Sequence, residues 1–584
     1  MLLGALFTSC DDLFEPAKEN NLGLEYMYQN PEYADGVLGN AYTRIPTNSY
    51  SFNDVATDDA VSNDDTNSYL KMAAGSWASD NNPTERWTSC RSAIQYINLF
   101  LANADKVAWA KDELVAGMFR DRVVGEAHAL RAMYMYYLLQ AHGGYDDSGN
   151  LLGVPIVTEP EDKNSNFNVP RASFEDCMKA IYADIKDALE FLPNEYTDVS
   201  NESQIPEKYR TKGVTTSQYN RAFGSTFFGR MSGRIAEAIR SQAALLAASP
   251  AFSAGNTTTY ADAAAYAAGV LDRIGGVAGM DMTGHTWYCN VNDIKNMGSG
   301  QAPKEILWRG EKSQSNSIEA DNYPPSIWGK GRINPTQNLV DAFPMLSGYP
   351  ITESAAQYDS SNPYEGRDPR LEQYIVINGS KVGNNSTVIH TAADYTATDN
   401  SQKDALNNTV GQSTRTGYYL RKLMRQDINL DPNATSQQDR YQARIRYTEI
   451  FLNFAEAANE AYGPMDSRHG YSAYDVIKKI RYRAGIGRDN GDAYLESIKN
   501  DKDKMRELIR NERRLELCFE GFRFWDIRRW NAPLAETAKG INITGNTYTP
   551  IDVDTRNYKD YMNYGPIPYS EVLKFSELKQ NKGW

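Results

Sequence analysis

The feature that most constrains this chain is a rhythm, with apolar residues at alternating steps of four and three in segment after segment. "FRDRVVGEAHALRAMYMYYLLQAHGG" places Val123, Ala127, Leu130, Tyr134, Tyr137 and Ala141 on that spacing. Residues three and four apart share one side of a 3.6-residue turn, so the pattern predicts a helix with one apolar stripe. Gly143 and Gly144 predict its end. Alanines on the stripe let a second helix approach closely, and the stretch from Glu85 to His142 reads as a helical hairpin.

"RASFEDCMKAIYADIKDALEFLP" repeats the theme, with Ser173 as candidate cap and Pro193 just past its end. "GRIAEAIRSQAALLAASPAFS" and "YADAAAYAAGVLDRI" form another Ala-rich pair. "RYTEIFLNFAEAANEAYG" sets Tyr447, Phe451, Phe454, Ala458 and Ala461 in the same rhythm, and "YSAYDVIKKIRYRAGI" answers it. Such hairpins resemble tetratricopeptide units, which bury their faces only on their neighbours and stack into a stiff curved scaffold. From about Gly276 to Arg440 the stripes fade, Gly, Asn, Ser, Thr and Pro dominate, and short β-like runs such as "EILW" and "QYIVI" appear. The expected fold is mostly α, a tetratricopeptide-like scaffold with a large loop-rich insertion carrying short β segments. The division is 1–10 (signal remnant), 11–275 (hairpins), 276–440 (loop-rich, ligand-facing) and 441–584 (last helices and an irregular tail). Loop-rich blocks on rigid scaffolds are where binding residues gather.

Charge narrows the function. Lys plus Arg is 61 against 75 Asp plus Glu, a formal charge of −14, so a phosphate backbone is repelled and no nucleic-acid partner is expected. Five histidines leave little for zinc or imidazole chemistry, and the 38 tyrosines and 9 tryptophans offer broad flat surfaces suited to cores and binding faces alike. Phosphate loops and nucleophile turns are absent, and no cofactor is expected. "DINLDPN" gives Asp427, Asn429 and Asp431 an EF-hand-like spacing, but Pro432 and Gln438 stand where Gly and Glu are needed, so no metal is expected. Cys90, Cys177, Cys289 and Cys518 form no CxxC pair and read as small buried thiols, with disulfide pairing left open by their spacing. No stretch of about 20 apolar residues suggests a bilayer-spanning helix.

The opening "MLLGALFTSCDDLFEP" has an apolar run ending in small residues at Cys10, the pattern of an export signal. "ALFTSC" also resembles the bacterial lipobox, whose cysteine becomes the lipidated first residue of the mature chain. No Lys or Arg precedes the run, and Phe7 stands where Leu or Val is commoner.

"NERRLELCFEGFRFWDIRRW", Asn511 to Trp530, interleaves Glu512, Glu516, Glu520 and Asp526 with arginines at helical spacing. Arginines close to carboxylates lower their pKa, the wrong direction for a general acid, so the segment reads as an ion-pair network docking the last helix. It resembles the "ERRxELxFEGxRxxDLxRW" signature of the SusD-like (SusD/RagB) family of Bacteroidota. "EAHALRAMYMYYLLQAHGG…GVPIV", "PTQNLVDAFPM", "RYTEIFLNFAEAANE" and "YGPIPYSEVLKFSELKQNKGW" are similar, in order, to its other motifs. A "YDDSGNLL" insertion after Gly144 and a final Trp584 are the departures. The resemblance implies four tetratricopeptide hairpins behind a loop-rich face, no enzymatic activity, and a lipoprotein on the outer-membrane surface, anchored through Cys10. Asp11 and Asp12 resemble the family's surface-export tag. The implied partners are a SusC-like TonB-dependent transporter, capped by the protein, and an oligosaccharide or, less often, a peptide captured and handed inward.

Sugars present flat C–H faces flanked by hydroxyls, which exposed rings and polar side chains grip. Trp87 and Trp109 flank the first hairpin and are expected to pack, Trp308 lies in "EILW", and Trp525 and Trp530 belong to the signature. Trp77, Trp287 and Trp328 stand in Gly/Ser/Asn-rich loops and are expected at the ligand. Ligand contacts in sugar-binding members of the family come from the segment before the first hairpin and from loops near the "PTQNLVDAF" motif. That implies Trp77, Asp80 and Asn81 from the first, and Tyr323, Trp328 and Arg332 from the second; Trp287 and Tyr288 are added on chemistry alone. Two rivals stay open: a peptide-capturing relative, and an all-helical glycoside hydrolase with a carboxylate pair at catalytic separation.

Overall fold

A computed structural model describes residues 23, 25–46, 50–298, 300–408 and 412–584. Cys10, Asp11 and Asp12, with the lipid anchor expected there, lie outside the described residues. The rhythm of the sequence becomes eight principal helices: Trp87–Leu101, Glu113–His142, Phe174–Phe191, Gly233–Ala248, Tyr260–Asp272, Tyr447–Tyr462, Ala473–Ala484 and Lys502–Leu517. Chain neighbours pack on one another, as hairpin stacking requires. Ser173 caps its helix, accepting from the Asp176 N–H at 3.0 Å.

The Glu113–His142 helix departs from a single stripe. Val123, Ala127, Leu130 and Tyr134 are buried, but so are Val124, Ala129, Met133, Tyr136 and Leu138 on its other faces. Helices Trp87–Leu101, Phe174–Phe191 and Gly233–Ala248 all pack against it, so it is apolar nearly all round. Trp87 and Trp109 are buried in the same core, and the four cysteines among the described residues are free.

The loop-rich block enters between two helices, Tyr260–Asp272 and Tyr447–Tyr462, that pack directly on each other. The chain therefore leaves the scaffold, builds the block and returns to the same place. Short antiparallel ladders hold the block: Ile306–Arg309 on Ala443–Arg446, Ile375–Val376 on Tyr419–Leu420, and Ala60–Ser62 on Ile333–Pro335. The third matters most here, because it joins the segment before the first hairpin to the block. Such a block needs apolar packing of its own, and Trp287, Tyr288, Tyr323, Ile333, Tyr374, Tyr418 and Tyr419 supply it in a second core.

The tail is less irregular than its sequence suggests. Ala538–Thr544 and Thr547–Asp554 form a β-hairpin around Gly545-Asn546. Gly545 has φ +58°, the left-handed backbone that a tight two-residue loop demands.

The signature segment forms a buried ionic lattice, as its spacing predicts. Glu512 meets Arg370 and Arg481, each at 2.9 Å. Glu516 meets Arg370 at 3.0 Å and Arg483 at 2.9 Å, and Glu520 meets Arg446 at 2.7 Å and Lys422 at 2.8 Å. Arg370 and Lys422 come from the loop-rich block and Arg481 and Arg483 from the scaffold, so one helix rivets the two cores together. Arg514 and Arg523 reach Asp58, each at 2.8 Å, and bring in the early segment as well. Burial alone would raise Glu516 and Glu456; the surrounding guanidiniums outweigh it, holding Glu516 well below the usual carboxylate range and Glu456, on Arg529, down to about 2.

Candidate ligand-binding groove

The residues expected at the ligand divide sharply. Trp77, Trp287, Tyr288 and Tyr323 are 4 %, 2 %, 5 % and 1 % exposed, whereas Trp328 is 47 % exposed. The expectation of a ring platform built from Trp77, Trp287 and Trp328 is therefore corrected: two of its three indoles are interior. Trp77 packs edge-on against Trp584, Phe524 and Tyr558, with Arg528 over its ring and its N–H donated to Asn82 Oδ1 at 2.9 Å. Trp287 lies against Tyr288 and Tyr441. The Tyr288 hydroxyl donates to the Gln373 carbonyl at 3.3 Å and that of Tyr323 to the Arg425 carbonyl at 2.5 Å. These rings are core: Trp287, Tyr288 and Tyr323 pack among the aliphatic side chains of the second core, and Trp77 in a smaller cluster with Phe524, Trp525 and Tyr558. Asp80 and Asn81 are exposed in a turn closed by an Ala78–Asn81 bridge, and neither lines the cavity described next.

The two chain segments expected to converge do so. Asn63, just past the Ala60–Ser62 strand, donates its backbone N–H to the Arg332 carbonyl at 3.3 Å and its amide to the Lys330 carbonyl at 2.9 Å. Arg332 returns a contact to Asn63 Oδ1 at 3.3 Å and approaches Asp64 at 3.8 Å. The Pro324–Gly331 turn that raises Trp328 into solvent is closed by backbone bonds from Gly329 N to Pro324 O and from Gly331 N to Tyr323 O. Gly331, at φ +58°, lies so close to Tyr419 and the Gln412 carbonyl that a Cβ would fall within 2.8 Å of both. Beneath the turn, buried Asp404 accepts the Ser326 N–H at 2.8 Å; burial pushes its carboxyl up to about 7, and its second oxygen has no partner among the described residues.

Beside this junction opens a groove of about 690 Å³, lined among others by Asn63, Asp65, Lys71, Asn407, Arg415 and Asp554. Arg415 spans it, donating to the Ser62 carbonyl at 3.0 Å and standing 3.7 Å from Asp554, at the end of the tail hairpin. Lys71 and Arg415 balance Asp65 and Asp554, so the walls offer donors and acceptors without net charge. Of the residues read from the sequence, Trp328 and Arg332 lie on the loop fastened to this groove. Lys71, Asn407, Arg415 and Asp554 were not foreseen; only the Gly-Asn turn before Asp554 carried a readable signal.

The "DINLDPN" stretch does not present an open ligand set: Arg425 holds both Asp427 oxygens, at 2.9 and 2.5 Å. Glu516 is sealed between Arg370 and Arg483, which hold its carboxyl well below the usual range, the wrong direction for a general acid.

A helical-hairpin scaffold carrying a loop-built polar groove, with no helix among the described residues long and apolar enough to cross a membrane, defines the class of protein. Two family models match this chain, one described as the SusD family over residues 304–584 and one as starch-binding, associating with the outer membrane, over residues 23–205. The chain belongs to the SusD-like family. SusD-like protein P38 of Formosa agariphila is 28 % identical over 155 residues, which is 26 % of each chain, so the match spans about a quarter of that relative. A SusD-like protein of Bacteroides fragilis superposes with TM-score 0.70 at 23 % identity, covering 96 % of this chain and 98 % of its own. A SusD-like carbohydrate-binding protein of the same species gives TM-score 0.65 at 21 % identity over 95 % and 100 % of the two chains. Identities this low carry the fold.

Proposed function

We propose that the protein is a glycan-binding lipoprotein of the outer-membrane surface that captures oligosaccharide in the Arg415 groove and passes it to a SusC-like TonB-dependent transporter, without catalysing a reaction. The observation that carries this reading is the groove's charge balance: two cations and two carboxylates around amide and hydroxyl groups suit a neutral ligand rich in hydroxyls. Trp328, exposed on the turn whose base is fastened to the groove residue Asn63, supplies the ring face on which a pyranose stacks. The family membership supports a glycan ligand, and the outer-membrane wording of the matching model supports the location.

Affinity electrophoresis against a panel of neutral glycans tests it. At least one glycan retards the wild type, and Arg415→Ala and Trp328→Ala each weaken retention about tenfold, the scale of one charged hydrogen bond or one stacked ring. Equal retention of wild type and both variants, or none by any glycan, ends the assignment. New reducing ends on prolonged incubation would establish a hydrolase instead.

A further inference from the structure

The turn that presents Trp328 is completed by a remote residue. Pro324 and Pro325 have no N–H, so the first donor the turn presents is that of Ser326. Asp404, 78 positions on, accepts it through Oδ1 at 2.8 Å. The main chain of Asp404 faces the other way. Its carbonyl accepts the Tyr419 hydroxyl at 3.0 Å, and that hydroxyl accepts the Thr414 N–H at 2.9 Å. Thr414 stands between the groove residues Ser413 and Arg415, and its carbonyl accepts the N–H of a third, Asn407, at 2.9 Å. One residue is thus bonded to the Trp328 turn by its side chain and to the Arg415 loop by its main chain.

The carboxyl in that link has no counterion among the described residues. On the turn, Lys330 is engaged by Asp321 at 2.9 Å. On its own element, Lys403 is exposed and Asp399 accepts from Ser401. His390 stacks on Tyr395, and burial pushes the Tyr419 hydroxyl well above its ordinary value. A neutral acid accepts through one oxygen and donates through the other, whereas a carboxylate only accepts. Asp404 Oδ2 and the Ser326 hydroxyl are both buried without a partner, so a proton on Oδ2 has an acceptor nearby and a charge there has little to offset it. With burial pushing this carboxyl up to about 7, it is uncharged below that value and charged above it.

We propose that Asp404 is the positioning residue that fixes Trp328 relative to the Arg415 groove, with its uncharged carboxyl as the holding form. This rests on the reading of Trp328 and the groove as one glycan site. An ionised Asp404 is relieved by water, which the turn admits by lifting, and Trp328 moves with it. Fluorine NMR of the whole protein labelled with 5-fluorotryptophan reads the turn without any glycan, the Trp328 resonance being the one lost in Trp328→Phe. That resonance shifts between about pH 5.5 and about pH 8.5, with its midpoint at about 7. Asp404→Asn, which keeps an acceptor for Ser326 and does not ionise, holds it still. Affinity electrophoresis with a retarding glycan reads the consequence. Wild-type affinity falls about 3- to 10-fold over that range, and the profiles of Asp404→Asn and Trp328→Ala are flat. A Trp328 resonance that stays put, or that moves equally in Asp404→Asn, overturns the proposal. So does a loss of affinity with pH that persists in Trp328→Ala. A resonance that titrates with Asp404 while no glycan binds would uphold the positioning role and end the glycan reading.

Discussion

Arginine meets carboxylate in two settings in this molecule, and they differ in what the contact leaves over. Around the signature helix, Arg370, Arg481 and Arg483 have fully buried side chains and sit 2.6 to 3.0 Å from carboxylates. In the loop-built face, the side chains of Arg415 and Arg332 are 32 % and 30 % exposed, with their nearest carboxylates at 3.7 and 3.8 Å. A buried ion that loses one partner is left uncompensated in a poor dielectric, so the first set is committed to structure. A half-exposed ion loses little when a partner moves, so Arg415 can turn to a ligand at small cost.

The hardest way to break this contrast is to remove the centre of the lattice. Glu516→Ala takes from Arg370 and Arg483 a buried carboxylate that both share and is expected to cost about 3–5 kcal/mol, the range for opening a buried pair, read by urea denaturation. A variant that melts with wild type would show the lattice to be ornamental. The two kinds of tryptophan make a gentler test. Trp77→Ala empties a site among Trp584, Phe524 and Tyr558 and should lower stability by about 3–5 kcal/mol. Trp328→Ala should leave stability within about 0.5 kcal/mol while weakening glycan.

Titration sharpens the comparison further. Glu456 is held at about 2 by Arg529, so its contribution is complete above its ordinary 4.5 and is lost as pH falls through about 2. Asp404 runs the other way. Its carboxyl is raised from 3.8 to about 7 by burial, so its contribution is complete below 3.8 and is lost as pH rises through about 7. Urea melts between pH 4 and 8 should show that loss in wild type and a flatter profile in Asp404→Asn; matching slopes would remove Asp404 as the cause.

The scaffold was legible because helices announce themselves locally: Val123 to Ala141 set a period and Ser173 sets a start. The signature was legible for the same reason, since Glu512, Glu516 and Glu520 sit at helical spacing. The fate of the loop tryptophans was not. Trp287 and Trp328 have equally polar neighbours in sequence, and only the second core, assembled from distant segments, buries one and leaves the other out. Arg415 and Asp554 were hidden for a related reason: they are 139 positions apart, and a β-hairpin turning at Gly545-Asn546 carries one to the other.

The ionic contacts between Arg514 or Arg523 and the Asp58–Asp59 pair join residues 455 to 465 positions apart. Two neighbouring acids must therefore wait, without counterions, until almost the whole polypeptide has been made. Early hairpins can condense as they emerge, but the seam that shuts the particle is sewn last. Such distant closure slows folding.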